Sequence, residues 1–260
     1  MISQKEINDE LLKAWGIKRK KESKPRRQLV LFAGGLPACG KSSHLKELDE
    51  QLTTLYNLKT EYIDKDLIGI EIGKQTGVEP DSLVIYSEML KRARNSLGVN
   101  NKDIVFLEGN IIGNLGLFTS FIVEQHLNDA IIICLDFLCS DENKRYIRMA
   151  QRSKVDNMAA ERDRGKINNL EYFQEHSEQQ KRLHDFQLNK HKELFEKGML
   201  KLLSIDTSIC KNISANVKTI LKFIQKYEAK TESSHFLNHA QIFAKNRGSL
   251  RACKLLTSLI

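Results

Sequence analysis

The 260-residue sequence predicts an α/β protein built on a mostly parallel sheet of about five strands. Short, mostly apolar segments alternate with segments in which apolar residues recur at helical spacing. Nearly continuous apolar strands are typical of a parallel sheet that helices cover on both faces. Polar or glycine-rich segments follow the first three strands directly, and open α/β sheets bind ligands beyond the carboxyl ends of their strands. We therefore expect the functional residues at one edge of the sheet.

The strands are predicted where apolar residues form short runs that end in polar residues or glycine. The first run leads into a glycine-bearing loop, the third stays apolar until Glu108, and the fourth ends in Asp136. Runs of this length are strands rather than helices when turn residues bound them. The predicted strands are residues 29–33, 59–63, 103–108, 130–136 and 199–205.

The helices are predicted from apolar residues that stand three or four positions apart. Leu45, Leu48 and Leu52 give this pattern after the first strand, and Gly98 is a typical stop for the long helix before the third strand. The glycine-rich residues 109–116 are predicted as a loop. The predicted helical segments are residues 43–52, 67–74, 81–97, 118–127, most of 140–197, and 216–227.

A phosphate-binding motif stands between the first strand and the first helix. Its pattern is Gly35-x-x-x-x-Gly40-Lys41-Ser42, in the strand–loop–helix context that the P-loop requires. Glycines let backbone N–H groups surround an anion, and the helix N-terminus adds its positive dipole end. Lys41 would reach the β- and γ-phosphates of a nucleotide, and the Ser42 hydroxyl would bind Mg²⁺. The predicted nucleotide-binding residues are Gly35, Leu36, Pro37, Ala38, Cys39, Gly40, Lys41, Ser42 and Ser43.

Three carboxylates follow the second and third strands. Glu108 is the candidate that holds Mg²⁺ together with Ser42, as the acidic residue at the end of a neighbouring strand does in P-loop sites. Asp64 and Asp66 would face the same side of an extended chain, because they stand two residues apart. One of them would orient Mg²⁺ or substrate, and the other would take the proton of an acceptor hydroxyl. The alternative for Glu108 is an ordinary carboxylate at the end of a strand. The alternative for Asp64 and Asp66 is a pair of aspartates that forms a turn.

The net charge of +8 is concentrated in one segment. Residues 18–27 contain seven basic residues and one acidic residue. Such a run can bind nucleic acid or an anionic surface, or it can be a solvated linker. The five cysteines include no Cys-x-x-Cys pair, which indicates reduced thiols.

The chain shows no secretory signal and no apolar run of membrane-spanning length. We expect a cytoplasmic protein without a transmembrane segment. A translocated effector that uses no N-terminal signal stays open.

Two extensions flank the predicted core. Residues 1–27 combine an amphipathic helix, which begins with a capping box at residues 3–6, with the basic linker. Residues 28–227 form the predicted core domain, and residues 228–260 form a helical C-terminal extension with scattered apolar residues. Either extension could pack on the core or bind a protein partner.

Residues 34–43 resemble the phosphate loop of P-loop kinases, a group that includes the 5′-hydroxyl polynucleotide kinases, gluconate and shikimate kinases, adenylylsulfate kinase and zeta toxins. Residues 62–67 are similar to the aspartate signature of these kinases after their second strand, and Asp66 matches the catalytic base. The resemblance covers residues 28–227. It implies a three-layer αβα sandwich and a kinase that uses ATP and Mg²⁺ to phosphorylate a hydroxyl of a small molecule, nucleotide or nucleic acid.

Residues 140–152 resemble the start of the kinase lid, and residues 202–208 look like the last strand and the adenine-side turn. Arg148 and Arg152 share a helical face and are the arginines expected to act in catalysis beside Lys41 and Asp66. In related kinases the substrate pocket lies after the second and third strands, which makes Asp64, Asn110 and Asn114 candidate substrate contacts. The full set of candidate lid arginines is Arg145, Arg148, Arg152, Arg162 and Arg164.

Two positions depart from the kinase pattern. Ala38 stands where these kinases often have glycine, and Gly69 stands where polynucleotide kinases place an arginine that holds a substrate phosphate. The second departure argues against a nucleic-acid end as the substrate. The alternatives are a zeta-toxin-like or effector kinase that acts on a macromolecule or a nucleotide sugar, and a nucleotide-binding switch or nucleic-acid-binding protein without an acceptor.

Overall fold

A five-stranded parallel sheet lies at the centre of the computed structural model. The structure describes residues 27–155, 169–208 and 213–228. Several of the predictions above lie outside the described residues. These are the N-terminal helix, the basic segment apart from Arg27, the arginines Arg162 and Arg164, and the C-terminal extension from residue 229.

Every strand pairing in the described sheet is parallel, which confirms the predicted α/β class. The strand order is β2-β3-β1-β4-β5, so β1 lies in the middle, between β3 and β4. This arrangement brings the loops that follow β1, β2 and β3 to the same edge of the sheet. The strands are β1 (Leu29–Gly35), β2 (Thr60–Asp64), β3 (Ile104–Glu108), β4 (Ile131–Leu138) and β5 (Lys201–Asp206).

Eight α-helices lie within the described residues, and they cover both faces of the sheet. A short 3₁₀ turn, Ile112–Asn114, precedes the fourth of them. The helices are α1 (Lys41–Tyr56), α2 (Lys65–Thr76), α3 (Ser82–Gly98), α4 (Leu115–Leu127), α5 (Glu142–Val155), α6 (Leu170–Lys190), α7 (Lys192–Glu196) and α8 (Ile213–Glu228).

Several predicted boundaries differ from the structure by a few residues, and two of the differences have a local reason. Residues 109–116 are not all loop, because the 3₁₀ turn and the first residues of α4 lie there. Leu115 is fully buried and continues the apolar face of α4, a pattern that the surrounding glycines obscure in the sequence. The helix predicted from residue 67 begins at Lys65, because the side chain of Asp64 caps it.

The core consists of two apolar layers, one on each face of the sheet. Alternate residues of β1 contribute to each layer, as the two-residue period of a strand requires. Leu31 packs in the layer with α1 and α8, whereas Phe32 packs in the layer with α3 and α4. Burying a side chain of this size contributes about 1.5–3 kcal/mol, so the first strand is firmly anchored where the phosphate-binding motif begins.

Candidate functional site

The phosphate-binding motif forms a tight loop between the end of β1 and the start of α1. Gly35 has φ of 120°, and a Cβ atom there would lie 2.1 Å from the backbone oxygen of Phe137 on β4. Only glycine fits this position. Ala38 also has positive φ, at 60°, in the left-handed region that L-residues avoid. The loop is therefore held in a shape that its alanine does not favour.

The ammonium group of Lys41 lies across this loop. Its Nζ donates hydrogen bonds to the backbone oxygens of Gly35 and Leu36, each at 3.0 Å. An anion in the loop could take the place of these two carbonyl acceptors, because a charged oxygen is a stronger acceptor than a neutral one.

The charges around Lys41 belong to residues that the sequence predicts for the site. Burial lowers the pKa of Lys41, while the charges of Glu108 and Asp66 act to raise it and that of Arg152 acts to lower it. All three side chains are therefore near enough to act on the ammonium group. The structure thus brings together residues from β3, α2 and α5 around the phosphate-binding loop.

Glu108 is buried at the end of β3, with 6% of its surface exposed, and both of its carboxylate oxygens accept hydrogen bonds. The Ser42 hydroxyl donates to Oε1 at 2.6 Å, and the Tyr62 hydroxyl donates to Oε2. Ser42 and Glu108 are thus in direct contact, and their binding of Mg²⁺ stays a prediction. Tyr62 begins residues 62–67, the segment similar to the aspartate signature, but nothing in the sequence indicated a role for it.

Asp64 and Asp66 are arranged differently from the prediction. Asp64 ends β2 and pairs in register with Glu108, but Asp66 lies in the first turn of α2. The Asp64 carboxylate accepts a hydrogen bond from the backbone N–H of Asp66 at 2.7 Å. The two side chains therefore do not share one face of an extended strand; Asp64 caps the helix that carries Asp66.

Asp66 lies where α2, α3 and the loop after β3 meet. Its side chain is 50% exposed, and the ammonium of Lys65 is 4.0 Å from it. Burial raises the pKa of Tyr86, and the charge of Asp66 contributes to the increase.

The two candidate substrate asparagines hold the loop after β3. The amide nitrogen of Asn114 donates to the Tyr86 hydroxyl at 3.1 Å and to the backbone oxygen of Asn110 at 2.8 Å. The side chain of Asn110 lies over Gly113, where a Cβ atom would be 2.7 Å from it. Both residues thus shape the loop beside Asp66, and their contact with substrate stays a prediction.

The described arginines of α5 have separate environments. Arg148 donates through Nη1 to the Thr207 hydroxyl at 2.9 Å and through Nη2 to the Thr207 backbone oxygen at 3.0 Å. Arg145 is only 1% exposed; its guanidinium lies over the ring of Phe173 on α6, and it donates to the hydroxyl of Ser177. Arg145 is therefore held between α5 and α6, and its role in a lid over the ATP phosphates stays a prediction.

Two buried polar residues of the site region escaped the sequence analysis. Thr207, just after β5, places its hydroxyl 3.0 Å from the backbone oxygens of both Cys39 and Leu138. It therefore joins the phosphate-binding loop to the ends of β4 and β5. Its segment, residues 202–208, was expected to form the last strand and the adenine-side turn, but no role was assigned to Thr207 itself.

Asp136, the second of these residues, is buried near the end of β4. Its carboxylate lies 3.0 Å from Nε2 of His184 on α6. Burial lowers the pKa of His184, but the hydrogen bond and charge of Asp136, with a contribution from Asp185, outweigh it and raise the pKa. The predicted fourth strand ended at Asp136, and nothing in the local sequence indicated its histidine partner.

His44 connects the phosphate-binding loop to α8 on the opposite side. Its Nδ1 lies 2.7 Å from the backbone oxygen of Gly40, and Asn216 donates to its Nε2 at 2.9 Å. With Nδ1–H donating and Nε2 accepting, the ring is neutral, and burial lowers its pKa accordingly. The first turn of α1 is thereby fixed below the loop.

Among the described residues, no cluster of three or more histidine, cysteine or acidic side chains could hold a metal ion. The oxygens of Ser42 and Glu108, with Asp64 next in register, are suited to Mg²⁺, which commonly keeps several waters and uses one or two carboxylates plus substrate phosphates. In the part of the chain that the structure describes, no helix is long and apolar enough to cross a membrane.

The fold and the loop define an α/β protein with a P-loop, and solved structures of P-loop kinases are among those with a similar fold. A candidate kinase from Chloroflexus aurantiacus has 15% identity and a TM-score of 0.46, with 78% of this chain and 99% of that chain covered. Shikimate kinase from Acinetobacter baumannii has 15% identity and a TM-score of 0.44, with 79% of this chain and 97% of that chain covered.

A structure of the PezAT toxin–antitoxin system of Streptococcus pneumoniae has 12% identity and a TM-score of 0.42, covering 99% of this chain and 97% of that chain. No protein-family model matches the chain, and no curated protein matches it in sequence. Because the identities and TM-scores of the similar structures are low, the chemistry is inferred from the residues of this chain.

Proposed function

We propose that this protein is a kinase that transfers the γ-phosphate of ATP to a hydroxyl group, with Mg²⁺ as the metal. The observation that carries the proposal is the Ser42–Glu108 hydrogen bond of 2.6 Å beside a glycine-bearing loop that Lys41 spans. A glycine turn alone would not need a buried carboxylate next to its serine. Phosphoryl transfer needs a phosphate cradle and a metal site in this arrangement.

The loop residues bind and orient the nucleotide. Backbone N–H groups of the loop and the N-terminus of α1 would face the phosphates, and Lys41 would add a positive charge. Ser42 and Glu108 would hold the metal, with Asp64 next to Glu108 in register. Bound Mg²⁺ would neutralise charge on the phosphate oxygens.

Asp66 is the proposed general base. It lies in the first turn of α2, half exposed, and its charge acts on both Lys41 and Tyr86. It is thus positioned between the phosphate-binding loop and the loop after β3, where an acceptor hydroxyl could reach it. The carboxylate would take the hydroxyl proton as the new bond to phosphorus forms.

The arginines of α5 would supply positive charge over the transferring group. The charge of Arg152 acts on Lys41, which supports a role for Arg152 near the phosphate-binding loop. Arg148 is held by Thr207 and would exchange these hydrogen bonds for phosphate oxygens when a lid closes. Both roles rest on the resemblance of residues 140–152 to the start of the kinase lid.

The surroundings of Gly69 favour an acceptor without a phosphate at this position. A Cβ atom at Gly69 would lie 3.2 Å from Cδ1 of Ile85, so α2 packs closely on α3 there. Glycine itself offers no charge at this position to bind a substrate phosphate. A small molecule with a free hydroxyl is therefore favoured over the end of a nucleic acid.

The test is transfer of labelled γ-phosphate from ATP to a panel of acceptors. The panel contains sugars, nucleosides, nucleotide sugars and 5′-hydroxyl oligonucleotides, and Lys41→Ala is compared with Lys46→Ala, an exposed lysine of the same helix. We expect a labelled product with the wild type and with Lys46→Ala but not with Lys41→Ala. A nucleotide sugar as the acceptor would favour an effector or toxin-like kinase; ATP hydrolysis with no acceptor would favour a switch.

A further inference from the structure

Tyr62 holds the buried carboxylate of the candidate metal site from the side opposite to Ser42. Its hydroxyl donates to Oε2 of Glu108, while the Ser42 hydroxyl donates to Oε1. We propose that Tyr62 is a positioning residue that fixes the Glu108 carboxylate for Mg²⁺. This inference rests on the proposed function of the loop, and it assigns the residue that orients the metal-binding carboxylate.

The backbone places Tyr62 at this point. Tyr62 pairs in register with Phe106, so its side chain lies on the same face of the sheet as Glu108, two residues further along β3. The two rings are 6.2 Å apart at an angle of 41°. Packing against the apolar layer on this face leaves the ring of Tyr62 half-buried and its hydroxyl within reach of Oε2.

The chemistry of a phenol suits this role. A lysine or arginine at the same place would form an ion pair with Glu108 and compete with the metal for the carboxylate. The neutral Tyr62 hydroxyl donates one hydrogen bond and leaves the negative charge for a cation. Groups that hydrogen-bond to a metal ligand orient it, and their loss typically weakens metal binding 10- to 100-fold.

The neighbouring carboxylate explains why Glu108 needs to be held. Asp64 is its partner in the register of β2 and β3, and like charges directly opposite each other repel. Asp64 is fixed by the backbone N–H of Asp66. Tyr62 and Ser42 fix Glu108, so each carboxylate has its own donor and the two keep separate directions.

The experiment measures binding of a fluorescent ADP analogue to the full chain, with and without Mg²⁺, for Tyr62→Phe and the wild type. Tyr62→Phe keeps the ring against Phe106 and removes only the hydroxyl. We expect the Mg²⁺ concentration at half-effect to rise about tenfold, with Mg²⁺-free affinity unchanged. Tyr227→Phe on α8 is the matched control and should behave as the wild type.

A double-mutant cycle with Glu108→Gln tests whether Tyr62 acts through the carboxylate. We expect Tyr62→Phe to have no further effect once Glu108 has been replaced, because the effect of Tyr62 requires that carboxylate. An unchanged Mg²⁺ response in Tyr62→Phe, additive effects in the cycle, or an equal loss of Mg²⁺-free binding would each overturn the proposal. A wild-type chain that bound no nucleotide would overturn the proposed function as well, and none of these readouts needs phosphoryl transfer.

Discussion

Thr207 holds the guanidinium of Arg148 through both its hydroxyl and its backbone oxygen, at 2.9 and 3.0 Å. The same hydroxyl lies 3.0 Å from the backbone oxygen of Cys39 in the phosphate-binding loop. One side chain after β5 therefore connects the loop to the arginine of α5 that is expected to act on the phosphates. Thr207 thus links three parts of the candidate site, namely the phosphate-binding loop, the end of β5 and α5.

Replacing Thr207 by valine should destabilise the fold. The change keeps the shape of the side chain but leaves buried partners of the hydroxyl without a hydrogen bond, which costs roughly 1–3 kcal/mol. Urea unfolding would measure the loss. Thr219→Val is the matched control, because the Thr219 hydroxyl is exposed on α8 and bonds only within its own helix; a change within about 0.5 kcal/mol is expected there. Equal effects of the two variants would contradict the role of Thr207.

Glycine at position 38 should stabilise the phosphate-binding loop. Ala38 has φ of 60°, a conformation that costs an L-residue roughly 1–2 kcal/mol relative to its favoured regions. Part of the gain is offset, because glycine increases the conformational entropy of the unfolded chain, which lowers the free energy of unfolding by about 0.4–1 kcal/mol. We expect Ala38→Gly to raise the free energy of unfolding by up to about 1.6 kcal/mol. Ala93→Gly in the middle of α3 should lower it by at least about 1 kcal/mol, and a loss at both positions would refute the strain at residue 38.

The His184–Asp136 pair should make stability depend on pH. The folded-state pKa of His184 is raised above its unfolded value, so its contribution is fully present below about pH 6.5 and is lost as the pH rises through the folded pKa. The free energy of unfolding of the wild type should therefore fall, relative to His184→Gln, as the pH rises through this range.

His191 provides a control of opposite sign for this measurement. Burial and the charge of Lys190 lower its pKa, so the folded state favours the neutral ring and loses stability as the pH falls. His191→Gln should gain stability relative to the wild type at low pH. A difference between wild type and His184→Gln that did not change with pH would show that the pair carries no titrating charge.

The strands and the phosphate-binding motif were predictable, because buried apolar runs and a glycine–lysine–serine pattern are local properties of the sequence. Asp66 was placed at the right edge but on the wrong element, since capping by Asp64 starts α2 earlier than the apolar spacing indicates. The contacts that build the site were not predictable. Arg148 meets Thr207 across 59 positions of sequence, and Tyr62 meets Glu108 across 46. Such pairs depend on strand order and helix packing, which no short spacing encodes.

We propose that Asp66 serves as the base in phosphoryl transfer from ATP, and the proposed kinase reaction depends on this role. The most direct measurement compares transfer of labelled γ-phosphate by the wild type and Asp66→Asn, using the acceptor found in the panel, together with ATP affinity. We expect kcat to fall at least about 100-fold in Asp66→Asn while ATP binds as in the wild type. Undiminished transfer by Asp66→Asn, with Lys41→Ala inactive, would contradict the assignment of the base.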